Sequence, residues 1–247
     1  MRMLQGWLGL WLLAVLAPAG AMTADELVAK NIEAKGGLAK MRAIESSRTV
    51  GKMQFTGDFA GELAMSQVVT RSGKLRQEGT LQGLTQISAW DGKEGWQIQP
   101  FGGRKDPEKL SADDTKGLVD DADIDGALVD WKAKGHRAEY LGIEDVDGTE
   151  AHKLKLTLKN GDVKTYWFDP DYFLEIRIRT KRTIRGAEQE FEMDLGDYEE
   201  VAGVFMPFAY EMGQPNGPKG TKLTVEKIEV NIPVDDAQFA FPATATK

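Results

Sequence analysis

Apolar residues recur at two different spacings along this chain, and the switches between them divide it. Over residues 23–36 the spacing is helical, with Leu27, Val28 and Ile32 on one stripe. Thr23 followed by Glu26 makes a capping box that predicts the helix start, and Gly36-Gly37 predict its stop. A second short helix is predicted from Leu38 to about Glu45. From Val50 to Pro100 the spacing changes to two. Turn pairs (Gly-Asp, Ser-Gly, Gln-Gly, Asp-Gly) cut this stretch into predicted strands over Val50–Gly57, Gly61–Arg71, Lys74–Leu81, Leu84–Trp90 and Gly95–Pro100. Residues 103–135 lose the alternation. Pro107, Ser111 and Asp113-Asp114 are helix-start signals there, so one or two short helices are expected between two groups of strands.

From His136 to Ile232 the strand pattern returns. Leu154, Leu156 and Leu158 alternate with Lys153, Lys155, Thr157 and Lys159. Ile176 and Ile178 alternate with Glu175, Arg177 and Arg179, and Phe191, Met193 and Leu195 alternate with acids. One apolar and one charged face per strand points to an antiparallel sheet with one wet side. In the last predicted strand, Thr221–Ile232, apolar positions move from odd (Leu223, Val225) to even (Ile228, Val230, Ile232), which predicts a β-bulge near Glu226-Lys227. Eleven or twelve strands with a few short helices, and no linker or repeat, predict a single mainly β domain (α+β) over residues 22–247. A sheet this wide must curl or close. The expected architecture is an incomplete, strongly curled antiparallel β-barrel of about 11 strands, whose concave apolar face encloses a cavity lidded by helices.

Composition narrows the chemistry. The 247 residues carry 31 Lys+Arg against 39 Asp+Glu, a net charge of −8. Such a chain is a poor binder of phosphate backbones, so no nucleic-acid partner is expected. The absence of cysteine excludes disulfides, thiolate nucleophiles, Cys-based metal centres and a lipid-anchoring Cys. Residues 1–21 open with Arg2, run apolar from Trp7 to Ala17, break at Pro18 and end in Ala19-Gly20-Ala21. This reads as a secretory signal peptide cleaved after Ala21; the apolar run is too short for a membrane span. An exported chain that avoids thiols fits an oxidising compartment.

No Gly-x-Ser-x-Gly, His-Glu-x-x-His, Gly-x-Gly-x-x-Gly or Walker phosphate loop occurs, and His136 and His152 have no patterned partner. The chain is therefore not expected to be an enzyme or to hold a cofactor. Asp121, Asp123, Asp125 and Gly126 resemble the start of an EF-hand loop, but its twelfth position is Lys132 and its ninth Val129. A solvated acidic helix–turn, with no metal, is expected there. Methionine suits loosely specific apolar surfaces. On size and alternation, Met65, Trp90, Trp96, Phe191 and Met193 are expected to line the cavity.

Several stretches carry a family resemblance. They are Asp91-Gly-x-x-Gly-Trp96 followed by Pro100-Phe101-Gly102-Gly103; Val146-Asp147-Gly148, Leu154-x-Leu156, Gly161 and Tyr166-x-x-Asp169-Pro170; Gly203-Val204-x-x-Pro207; and Asn231-x-Pro233-x-x-Asp236-x-x-Phe239-x-x-Pro242. In order and spacing the chain resembles the LolA/LolB-like superfamily of outer-membrane lipoprotein-sorting proteins. The resemblance implies an incomplete barrel closed by helices, with an interior that accepts acyl chains. It also implies periplasmic transport of a lipid or acylated lipoprotein between an inner-membrane release complex and an outer-membrane acceptor. Arg71-x-x-x-x-Arg76 resembles the family's Arg-Pro-x-x-x-Arg stretch, with Ser72 in place of Pro, which makes Arg71 the lid-holding candidate. The membrane-anchored receptor of that pair needs a lipidated Cys, so the resemblance is to the soluble carrier. Two alternatives stay open: a sensor or interaction module on the same fold, like periplasmic regulators of envelope stress, and, less favoured, a hydrolase using a carboxylate pair.

Overall fold

A computed structural model describes residues 22–56 and 60–242; the expected signal peptide lies outside the described residues. The helices are α1 (Ala24–Ala34), α2 (Leu38–Arg42) and α3 (Lys116–Asp121). The strands are β1 (Ser46–Phe55), β2 (Gly61–Thr70), β3 (Lys74–Leu81), β4 (Leu84–Trp90), β5 (Gly95–Gln99), β6 (Arg104–Lys109), β7 (Arg137–Val146), β8 (Thr149–Thr157), β9 (Val163–Phe168), β10 (Glu175–Ile184), β11 (Ala187–Val201), β12 (Val204–Gly213) and β13 (Lys219–Val230). All 13 strands form one antiparallel sheet in the order β6-β5-β4-β3-β2-β1-β13-β12-β11-β10-β9-β8-β7. It stays open, with β6 and β7 as its edges. The first wing, β1–β6, and the second, β7–β13, are each a simple meander, and they meet at the β1/β13 seam.

The seam carries the expected bulge. Val50 pairs with Lys227 and Gly51 with Val225, which leaves Glu226 as the extra residue. A Cβ on Gly51 would lie 2.3 Å from the Thr224 carbonyl oxygen, so only glycine lets the two backbones approach there. At the outer edge of the second wing, Leu141 is bulged out between Tyr140 and Gly142. One expectation needs correction: residues 104–109 form an edge strand rather than part of a helical insert, which brings the strand count to 13. The rest of the insert holds one short α-helix of six residues, within the one or two expected, and turns.

The helices lie over the concave face. In α1 the capping box is made, with the Glu26 N–H donating to Thr23 Oγ1 at 3.2 Å and the Thr23 N–H to Glu26 Oε2 at 2.8 Å. Leu27 and Val28 of α1 pack into the second wing against Leu154, Leu156, Tyr166 and Phe168. Each such buried apolar side chain contributes about 1.5–3 kcal/mol relative to exposure. Met41 of α2 meets Ile44, Val129 and Val204. Leu118 of α3 and Ala122 meet Val69 and Leu75 of the first wing.

The convex face is held differently. Glu192 is 1% exposed, yet Arg179 and Lys219 donate to it at 2.6 and 2.5 Å. Burial penalises its charge, but those cations and Arg177 outweigh the penalty and hold its pKa below the ordinary 4.5. On the concave side, across from Phe168, Glu175 behaves alike: burial opposes ionisation, and Lys35 at 3.1 Å overcomes it. A carboxylate with a depressed folded-state pKa stabilises above the unfolded pKa and loses that contribution as pH falls through the folded value. Stability is therefore expected to drop below about pH 4.5, and the drop should shrink in Glu192→Gln. Denaturant midpoints between pH 7 and 3 check this; parallel curves for the two proteins would contradict it.

Candidate functional site

Between the wings the concave face encloses a chamber of about 390 Å³. One wall is methionine-rich because cross-strand pairing stacks these residues: Met53 pairs with Leu63 and Leu223, and Met193 with Met212. Met65 and Val225 complete this wall. The facing wall, on β2–β4, is polar and rich in amides, with Glu78 also lining it. Gln67 pairs with Gln77 and Gln77 with Ser88, while Gly79 pairs with Gln86. The Gln77 amide donates to Gln67 Oε1 at 3.1 Å. A second chamber of about 280 Å³ adjoins the first; the two share Thr49, Gln67, Asp121 and Tyr210. Its apolar lining includes Met41, Ile44, Val69, Met206 and Ile228.

The five residues expected to line the cavity separate. Met65 and Met193 do line the first chamber. Phe191 stands on the same face of β11 as Met193 but at the rim, 41% exposed, beneath the Arg182 guanidinium at 5.7 Å. Trp90 points to the concave side but packs into the Val69, Leu75, Leu118 and Ala122 cluster under α3. Trp96 is on the opposite face. It is 1% exposed, and its indole N–H donates to the Phe239 carbonyl at 2.7 Å, beneath a C-terminal strap. Met53 and Met212 belong to the methionine content that suits such a cavity but not to the five residues expected to line it, and the three glutamines were not singled out from the sequence. Their parity on β1, β12, β2, β3 and β4 was the available signal, but parity does not say which face turns inward.

The Arg71 side chain, just past β2, makes four hydrogen bonds. It donates to both Asp125 carboxylate oxygens at 2.6 and 3.0 Å, to the Met41 carbonyl at 2.8 Å and to the Ile44 carbonyl at 2.8 Å. A planar guanidinium fork suits this combination of a carboxylate and helix-end carbonyls. Arg71 thereby ties the first wing to α2 and to the 111–135 segment. The far side of that segment reaches the second wing. Lys116 donates to the Thr183 carbonyl at 2.6 Å, the Arg185 N–H donates to Asp113 at 3.0 Å, and Arg182 pairs with Asp120 at 2.5 Å. The segment thus bridges both wings over the chambers.

The three carboxylates that suggested a calcium loop diverge. Asp123 pairs with Lys134 at 2.5 Å, Asp125 with Arg71, and Asp121 accepts from the Gln77 amide at 3.2 Å. The histidines serve packing. His136 Nδ1 accepts the Lys159 N–H at 3.1 Å, and the His152 ring stacks on Phe173 with its Nδ1 3.0 Å from the Tyr140 hydroxyl. Burial lowers both pKa values.

No protein-family model and no curated protein matches this sequence. Solved structures do match in fold. A structure described as an outer-membrane lipoprotein-sorting protein domain from Vibrio parahaemolyticus aligns with a TM-score of 0.59 at 13% identity, covering 87% of this chain and 97% of that one. A DUF1329 family protein from Desulfovibrio piger aligns at 0.59 and 12%, covering 88% and 97%. A LolA superfamily protein from Nitrosomonas europaea aligns at 0.57 and 14%, covering 89% and 98%. At these identities the likeness establishes the fold, an open, curled LolA-like sheet lidded by helices.

Proposed function

We propose that this protein is a carrier that shields the acyl chains of a lipid or lipoprotein from water, working in the periplasm after export. The observation that supports this most is the pair of adjoining chambers with methionine-rich and aliphatic walls on the concave face. The first, at about 390 Å³, falls in the ~300–1,000 Å³ range of small-molecule sites, and the second, at about 280 Å³, extends it. An acyl chain of sixteen carbons gains on the order of 10 kcal/mol when its methylenes leave water, at ~0.8 kcal/mol each, before the costs of binding. Binding without chemical conversion is enough for this role. Cargo would be taken from an inner-membrane release complex and passed to an outer-membrane acceptor, as in lipoprotein sorting or lipid trafficking. Arg71 would act as the lid holder, because its fork on Asp125 keeps the bridging segment over the chambers.

The test is native mass spectrometry of protein purified from its own compartment, with extraction of bound lipid. A defined lipid or acylated peptide in near-stoichiometric amount is expected. A ligand-free mass that also ignores added lipid would sink the carrier reading. Met193→Asp places a charge in the apolar wall and is expected to weaken binding of a fluorescent apolar probe at least ~10-fold, since burying an unpaired carboxylate costs well over 1.4 kcal/mol. Unchanged affinity would remove Met193 from the site.

A further inference from the structure

The charged side chains around the chambers fall into matched sets, with one exception. Lys35 is paired with Glu175, Arg71 with Asp125, and Lys134 with Asp123. Arg182 and Lys164 reach Asp120 at 2.5 and 3.4 Å, and Arg182 Nε lies 3.5 Å from Asp162. Two cations there answer two carboxylates. Glu78 is bonded to Arg76 at 2.6 Å, on the strand face opposite Gln77. Asp121 is left over. Among the described residues it has no ion pair, and its carboxylate accepts only the Gln77 amide. It lines both chambers where they join. Beside it the Ser88 hydroxyl and the Gln86 amide also make no hydrogen bond within the described residues, although both line the first chamber.

A carboxylate without a counter-ion, solvent-exposed where two chambers join and set among methionines and amides, favours a cation and repels an anion. Resting on the carrier reading, we infer that the chamber takes amine-bearing lipids, with Asp121 as the counter-ion of the protonated amine and Ser88 and Gln86 bonding the rest of the head, and that it discriminates against anionic heads.

Delipidated full-length protein at physiological ionic strength and neutral pH would be titrated with three twelve-carbon amphiphiles below their micelle concentrations: dodecylamine, dodecanol and dodecanoate. The readout is displacement of a fluorescent apolar probe. Dodecylamine is expected to bind at least ~10-fold tighter than dodecanoate, with dodecanol between them, as a charge-assisted hydrogen bond would give. Asp121→Asn keeps the shape and the Gln77 contact. It should bring the amine-to-carboxylate ratio to within about threefold while leaving dodecanol unchanged, which also reports an intact chamber. Dodecanoate binding as tightly as dodecylamine to the natural protein would overturn the inference. So would an Asn variant that keeps the full ratio, because the preference would then come from the overall negative charge. Binding of none of the three would overturn the carrier reading itself.

Discussion

Trp96→Ala is expected to lower the unfolding free energy by about 3–5 kcal/mol, the usual cost of emptying a buried indole site. The indole is covered by the C-terminal strap. Its N–H satisfies the Phe239 carbonyl, Phe241 meets it edge-on at 6.3 Å, and the Arg76 guanidinium lies 5.6 Å from the ring while also bonding the Gln238 carbonyl. Alanine would remove the ring that seats the strap and the donor that fixes it. For a domain of this size the loss corresponds to a fall in Tm of roughly 10 °C. Residues 235–242 should become the first site of protease cleavage. Because Trp96 faces away from the chambers, folded protein should bind an apolar probe as before. A change below about 1 kcal/mol would mean that the strap is not seated on this ring.

Arg71→Ala is expected to cost about 2–4 kcal/mol and to act on the other side of the sheet. The Arg71 and Asp125 side chains are 25% and 15% exposed, so the pair is only partly screened by solvent. The substitution strands the Asp125 carboxylate and removes the donor to two carbonyls at the end of α2. Amide hydrogen exchange should accelerate across residues 116–130, while the strands beneath keep their protection. Apolar probe should enter and leave faster. Arg71→Lys keeps the charge but cannot present a fork, so it should fall between the two proteins. Unchanged exchange over 116–130 in the alanine variant would rule out Arg71 as the tie that holds this segment.

These two residues also show what the sequence can and cannot disclose. The strands are legible where a strand has one wet face: Leu154 and Leu156 against Lys153 and Lys155 announce β8, and the parity change between Val225 and Ile228 locates the seam bulge. Edge strand β6 is not legible, because Arg104-Lys105-Asp106-Pro107-Glu108-Lys109 has no apolar face to alternate with a polar one. The start of β1 at Ser46 is hidden by four polar residues in the same way. Alternation identifies two faces but does not rank them. Trp96 and Met193 therefore look equivalent in sequence, and only the docking of Phe239 separates them. The Asp121–Asp125 stretch shows the converse. Its spacing is visible, but the distant cations that claim Asp123 and Asp125 are not.

A sheet left open has two ends, each a potential template for a strand from another molecule. Both ends here are spoiled for that purpose. On β6, five of six residues are charged and the sixth is Pro107, which has no N–H to offer a newcomer. On β7 the bulge at Leu141 breaks the regular spacing of ladder groups and twists the strand away from a straight partner. The fold can therefore keep two unpaired rims without inviting fibrillar stacking, a hazard that a closed barrel escapes by geometry and this chain escapes by the wording of its terminal strands.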